Sequence, residues 1–111
     1  MKIEFKQVLH AMDGEPMQEE DPRNQGKTRD LTLGRLCINA LLSEFPNEQQ
    51  TGTQKFDRFK LAMRLGNEDD PIEITAEDIT LIKDRVGKAY SAYVVGTVWT
   101  VLEGKTTKET T

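Results

Sequence analysis

Few residues of this 111-residue chain have the types and spacing that support chemistry. His10 is the only histidine. A general base needs an orienting partner, and although Glu4 and Asp13 are near in sequence, no spacing obliges either to serve. His10 therefore reads as a surface or strand-edge histidine. Cys37 is the only cysteine, which excludes a disulfide within the chain. It falls on an apolar helical stripe about one turn inside its helix, where a thiol acts as a small hydrophobe. A nucleophilic thiolate needs exposure beside a cation or a helix N-terminus. A lone buried thiol suits a reducing compartment. The acidic clusters Glu19-Glu20-Asp21 and Glu68-Asp69-Asp70 lack the alternating ligands and sharp-turn glycine of a calcium loop. One Cys and one His do not make a zinc site, and there is no GxGxxG or phosphate loop. No catalytic residue, metal site or cofactor is expected, and the chain does not read as an enzyme.

Two groups remain that could bind something. Tyr90, Tyr93, Val95 and Trp99 lie in the apolar stretch "AYSAYVVGTVWTVLEG", residues 89–104. Trp and Tyr are favoured as interface anchors. On a helix, Trp99 lies about 100° from Val98. The Val95/Trp99 line adds to the Val94/Val98/Leu102 line, giving more apolar surface than one side of a small domain needs. These residues read either as core alone or as core plus a face for a protein partner or for self-association. The second group, Lys55, Arg58, Lys60 and Arg64, lies on one helix and is the alternative, a nucleic-acid face. Lys60 and Arg64 are a true i, i+4 pair, but Asp57 interrupts the patch. Lys83, Arg85 and Lys88, matched by Asp78 and Asp84, read as an ordinary solvated face.

Composition weighs between these readings. The net charge is −4 and the pI about 5.0, a poor match to phosphate backbones, so nucleic acid is the less favoured partner. Hydrophobic residues make up 36% and charged residues 31%, polar for a globular domain but not disordered throughout. The length is that of one domain, able to bury roughly 65% of its unfolded surface. The apolar run from Ala89 to Leu102 falls short of the ~20 residues of a membrane span. The first ten residues, "MKIEFKQVLH", mix acid and base and do not read as a signal peptide.

The elements that must position these residues follow from periodicity. In "KIEFKQVLHAM", Ile3 and Phe5 alternate with Lys2, Glu4 and Lys6, which predicts a strand. Asp13-Gly14 is a reversal signal, so a hairpin is expected with a return strand from Glu15. "QEEDPRNQGKTR", residues 18–29, has no apolar residue and reads as a mobile loop. Leu33, Leu36, Cys37, Ala40 and Leu41 form a helical stripe with Thr32 as N-cap, ended by Pro46. A second helix is predicted from Thr53 as cap to Gly66, with Phe56, Phe59, Ala62 and Met63 on one face. "IEI", residues 72–74, is a short strand candidate. Thr75 and Asp78 resemble a capping box for a third helix, with Ile79, Ile82 and Val86 as its stripe and Gly87 as its C′ residue. For 91–102, β-branched content favours a strand, while Tyr90, Val94, Val98, Val101 and Leu102 favour a helix. A helix with Ser91 as N-cap is the reading adopted. Residues 105–111 read as a disordered tail.

The order "KIEFKQVLHAMDGEP", "LTLGRLCINALL" and "ITAEDITLIKDRVGKAYSAYVVGTVWTVLEG" resembles small accessory proteins of tailed bacteriophages and prophages. That family has no assigned activity, so no functional residue is carried over. The resemblance implies a setting: synthesis in a bacterial host cytoplasm, incorporation in the virion as one destination, and a role in virion or tail assembly or in modulating a host protein. The expected architecture is α+β, a single domain over residues 1–104 with an N-terminal β-hairpin packed on three to four helices. The expected function is non-catalytic protein–protein interaction; the alternative is a small DNA-binding regulator.

Overall fold

A computed structural model describes residues 1–104; the tail expected at 105–111 lies outside the described residues. The chain folds as a small α+β domain with two two-stranded antiparallel sheets and four helices. In chain order these are β1 (Lys2–Ile3), β2 (Gln18–Glu20), β3 (Thr28–Asp30), α1 (Leu33–Leu42), α2 (Gly52–Asn67), β4 (Ile72–Glu73), α3 (Ala76–Ala89) and α4 (Ala92–Leu102).

The N-terminal strand does not pair where alternation predicts. β1 lies against β4, with Lys2 opposite Glu73 and Ile3 opposite Ile72, so the short strand expected at 72–74 is present. The Asp13-Gly14 reversal also forms. Gly14 has φ +88°, and the Gly14 amide donates to Ala11 O. Beyond it the return is short: His10 stands opposite Pro16, with the Ala11 amide donating to Glu15 O and the Met17 amide to Leu9 O. The reason lies in the competing partners of residues 5–7. The first-turn amides of α1 have no partner within the helix, and those of Leu33 and Gly34 donate to Gln7 O and Phe5 O. The Phe5 and Lys6 amides are in turn held by the Asp70 carboxylate at 3.0 and 2.6 Å. The segment therefore caps α1 instead of extending a sheet. Gly34 permits this approach: a Cβ there would stand 2.9 Å from Phe5 O.

Residues 18–29, expected as a mobile loop, carry the second sheet. Gln18, Glu19 and Glu20 pair with Asp30, Arg29 and Thr28. The strand pattern was hidden because both faces are polar and the pairing is held by charge. Glu19 accepts from Arg29 Nε at 2.9 Å and from Arg35 of α1.

α1 is the axis of the core. Leu33, Cys37, Ala40 and Leu41 are fully buried, and α1 packs against both α2 and α3, with α4 on α3. Thr32 caps it as expected. α2 is capped by Thr51, not Thr53. Thr51 and Gln54 close a reciprocal capping box, the T-x-x-Q spacing that leaves Gly52 as the first helical residue. α2 also continues through Gly66 to Asn67. In α3 the Thr75–Asp78 box forms as expected, but Gly87 is inside the helix and Tyr90 is the C-cap. The segment 92–102 is a helix, so its periodicity outweighs its β-branched content. Ser91 stands at the N-cap position without a side-chain capping bond.

Candidate protein-interaction surface

The predicted face on α4 is divided by the helix it sits on. Val98 and Leu102 are buried, Val94, Val95 and Val101 partly so. Tyr93 and Trp99 are exposed at 42% and 36%, yet they lie about 120° apart around the axis, with Gly96 and Thr100 between them. Each has intramolecular work. Trp99 lies along α3: a Cβ on Gly87 would meet its Cζ2 at 3.7 Å, and Lys83 Nζ stands 5.1 Å above the ring. Lys83 is also bonded to Glu103 at 2.7 Å. The Tyr93 hydroxyl accepts from the Met12 amide, tying α4 to the Asp13-Gly14 turn. Tyr90 closes α3, half-buried, and burial pushes its phenol up. Tyr90, Tyr93, Val95 and Trp99 thus do not form one continuous contact face.

The cationic group on α2 is dispersed further. Arg58 is 3% exposed. Its guanidinium donates to Leu41 O at 3.1 Å, Ser43 O at 2.8 Å and Glu44 at 3.1 Å, so it is not a surface cation. Arg64 is held by Asp78 at 3.0 Å, Glu68 at 3.2 Å and Glu73 O at 2.6 Å. Only Lys55 and Lys60 of the four project from the surface without a buried or multiply bonded head. Lys60 reaches Asp57 at 3.6 Å and lies 4.9 Å above the Phe56 ring. The four do not make a phosphate-tracking row.

The unexpected surface is the other side of α2. Sequence periodicity puts Phe56, Phe59, Ala62 and Met63 on one face. Of these the core takes only Ala62, together with Arg58, Leu61 and Leu65. Phe56, Phe59 and Met63 point outward and are exposed at 57%, 50% and 48%. At 3.6 residues per turn, Phe56 is nearly opposite the centre of the buried side. α2 carries two apolar stripes, and the one that includes Leu61 and Leu65 faces inward together with Arg58. With Leu61, Ala62 and Leu65 packed in the core and the Arg58 guanidinium on the carbonyls at the end of α1, the phenylalanines are on the outside. The clue in the sequence was a surplus: Leu61 and Leu65 are too many apolar residues to add to the Phe56/Phe59/Met63 line.

A second arginine shares this device. Arg85, expected on a solvated face, is wholly buried. It donates to Glu48 at 2.6 Å and Ser43 O at 2.6 Å and stacks on Phe45. Arg58 and Arg85 therefore grip the same carbonyl, that of Ser43, from α2 and α3. Glu48 also receives Lys88 at 2.9 Å. The Arg85 bond, seconded by Lys88, holds its carboxyl down at about 2.

The remaining residues considered for chemistry are placed apart. Cys37 is enclosed, and burial pushes its thiol up to about 12. His10 is exposed at its bridge with Pro16. Glu19 and Asp70 of the acidic clusters accept arginine and amide donors. Among the described residues no group of three or more His, Cys, Asp or Glu is arranged to hold a metal ion, and no helix is long and apolar enough to cross a membrane. Compared with protein-family models, curated proteins and solved structures, the chain matches none.

Proposed function

We propose that this chain is a non-catalytic accessory protein that works by binding another protein, and that α2 presents the contact face. One observation carries the reading. Phe56, Phe59 and Met63 are all about half exposed on the side of α2 turned away from the core. Isolated exposed apolar residues are ordinary. Three large ones in a row on one helix form a patch of the kind that marks interaction sites. The bacteriophage setting, with assembly of the virion or tail or modulation of a host protein as the task, rests on the sequence resemblance. The regulator alternative loses support because Arg58 is buried and Arg64 is bound three ways.

The test is site-specific photo-crosslinking in the native host. Benzoylphenylalanine at Phe59 is expected to give a discrete adduct with a second protein. The same group at Thr80, exposed on α3, serves as control. Equal labelling from both positions, or none from Phe59, would remove α2 as the contact face.

A further inference from the structure

We infer that the occupant of the α2 stripe is a short acidic amphipathic segment of another protein, docked with its apolar spine on Phe56, Phe59 and Met63. This rests on the protein-binding reading above and names the partner's chemistry.

Charge is the first argument. The chain has a net charge of −4, yet α2 carries Lys55, Arg58, Lys60 and Arg64 against the single acid Asp57. Arg58 and Arg64 are taken up by Glu44 and by Asp78 and Glu68, which leaves Lys55, and Lys60 beside Asp57 at 3.6 Å, as the cations on the surface of α2. The two cations left to the surface border the stripe, one on each side: Lys55 next to Phe59, and Lys60 over Phe56 at 4.9 Å. An apolar line edged by ammonium groups complements an apolar line edged by carboxylates.

The same arrangement disfavours a second copy of this chain. Packing α2 against its own twin would bring lysine-edged stripes together, and like charges across an interface are costly. Area points the same way. Two phenylalanines and one methionine exposed at 57%, 50% and 48% offer on the order of 300 Å², against ≈800 Å² per partner in a stable standard interface. A single docked helix is matched to such a line by its own i, i+3, i+7 spacing. A membrane surface is also poorly matched: stable electrostatic attachment uses about four to eight clustered cations, and two border this stripe.

The experiment uses the full chain as bait against a yeast-displayed library of helical peptides with a fixed leucine spine and randomised flanking positions. Selected peptides are expected to be enriched in Asp and Glu at the flanks. They should bind Phe59→Ser at least tenfold more weakly, and Lys55→Glu/Lys60→Glu should reverse the preference towards Lys and Arg. Amide shifts should change along 52–67. Phe59 and Met63 are outside the core, so loss of folding is not expected; thermal melts of each variant verify it. Enrichment of basic or uncharged flanks, or peptides indifferent to Phe59→Ser, would overturn the inference. So would binding to anionic phosphatidylserine vesicles, or self-association in sedimentation, abolished by the same substitution. If Phe59 crosslinks a protein while the library shows no acidic preference, the binding reading stands and the partner chemistry falls.

Discussion

Arg58 and Arg85, 27 positions apart in sequence and on different helices, both donate to the carbonyl oxygen of Ser43, at 2.8 and 2.6 Å. This shared acceptor clamps the connection after α1 to both α2 and α3. On α2, Leu61, Ala62 and Leu65 are buried on the same side as Arg58, and Phe56, Phe59 and Met63 are left outside.

Arg85 is entirely buried, so removing its side chain takes one of two donors from Ser43 O and leaves Glu48 with Lys88 alone. Arg85→Ala is expected to destabilise the fold by roughly 3 kcal/mol or more. Chemical denaturation with a linear extrapolation checks it. A loss below about 1 kcal/mol, of the size seen for exposed ion pairs, would show that the clamp does not hold the domain.

The acid limb of stability follows from Glu48. Its folded pKa, about 2 against an ordinary 4.5, is lowered first by the Arg85 bond and then by Lys88. A depressed carboxyl contributes stability that is complete above the unfolded value and is lost as pH falls through the folded one. Melting temperature should therefore decline between about pH 4.5 and 2. Glu48→Gln should lower the neutral-pH melting temperature and flatten that decline.

Two helical glycines should respond in opposite directions to alanine. A Cβ on Gly87 meets Trp99 at an ordinary 3.7 Å, so Gly87→Ala should stabilise by about 0.5–1 kcal/mol through helix propensity. A Cβ on Gly34 meets Phe5 O at 2.9 Å, and the Gly34 amide donates to that same oxygen. Gly34→Ala should destabilise despite its better propensity, and paired thermal melts of the two variants decide.

Thr51 accepts from the Gln54 amide at 3.1 Å, and Gln54 returns the bond to the Thr51 amide at 2.9 Å. Thr51→Ala should cost about 1 kcal/mol. Thr53, already inside α2, should tolerate alanine without loss. Equal effects from both would place the start of α2 elsewhere.

The thiol of Cys37 offers a probe of opening. It is buried, and its ionisation is moved from 9.0 to about 12. Disulfide reagents should label it in the native protein only at the rate of unfolding, and at once in denaturant. Rapid native labelling would contradict its place in the core.

Much of the fold was legible from local signals. Helix caps at Thr32 and Thr75 depend on a hydroxyl and an amide three residues apart, and both formed where the sequence placed them. The turn at Asp13-Gly14 needs a positive φ, which glycine supplies at +88°. The stripe of α1, Leu33, Leu36, Cys37, Ala40 and Leu41, is buried as its spacing predicts, while Leu42 on the far side is exposed. In α4 period outweighs propensity: Val98 and Leu102, four apart on one line, are the two that the core buries.

The rest depended on partners distant in the chain. Thr53 and Thr51 are equally plausible caps until the helix start is known. A polar hairpin such as 18–30 shows no alternation, because Glu19 is bought into place by Arg29 and Arg35 and not by burial of oil. Local pattern shows which segments coil, where most of them begin, and that α4 carries more apolar residues than one buried face needs. Tertiary structure alone decided which of those residues go inside. On α2 the inward side is the one where Leu61, Ala62 and Leu65 join the core and Arg58 reaches the carbonyls of Leu41 and Ser43, contacts between residues far apart in the chain that local periodicity does not encode.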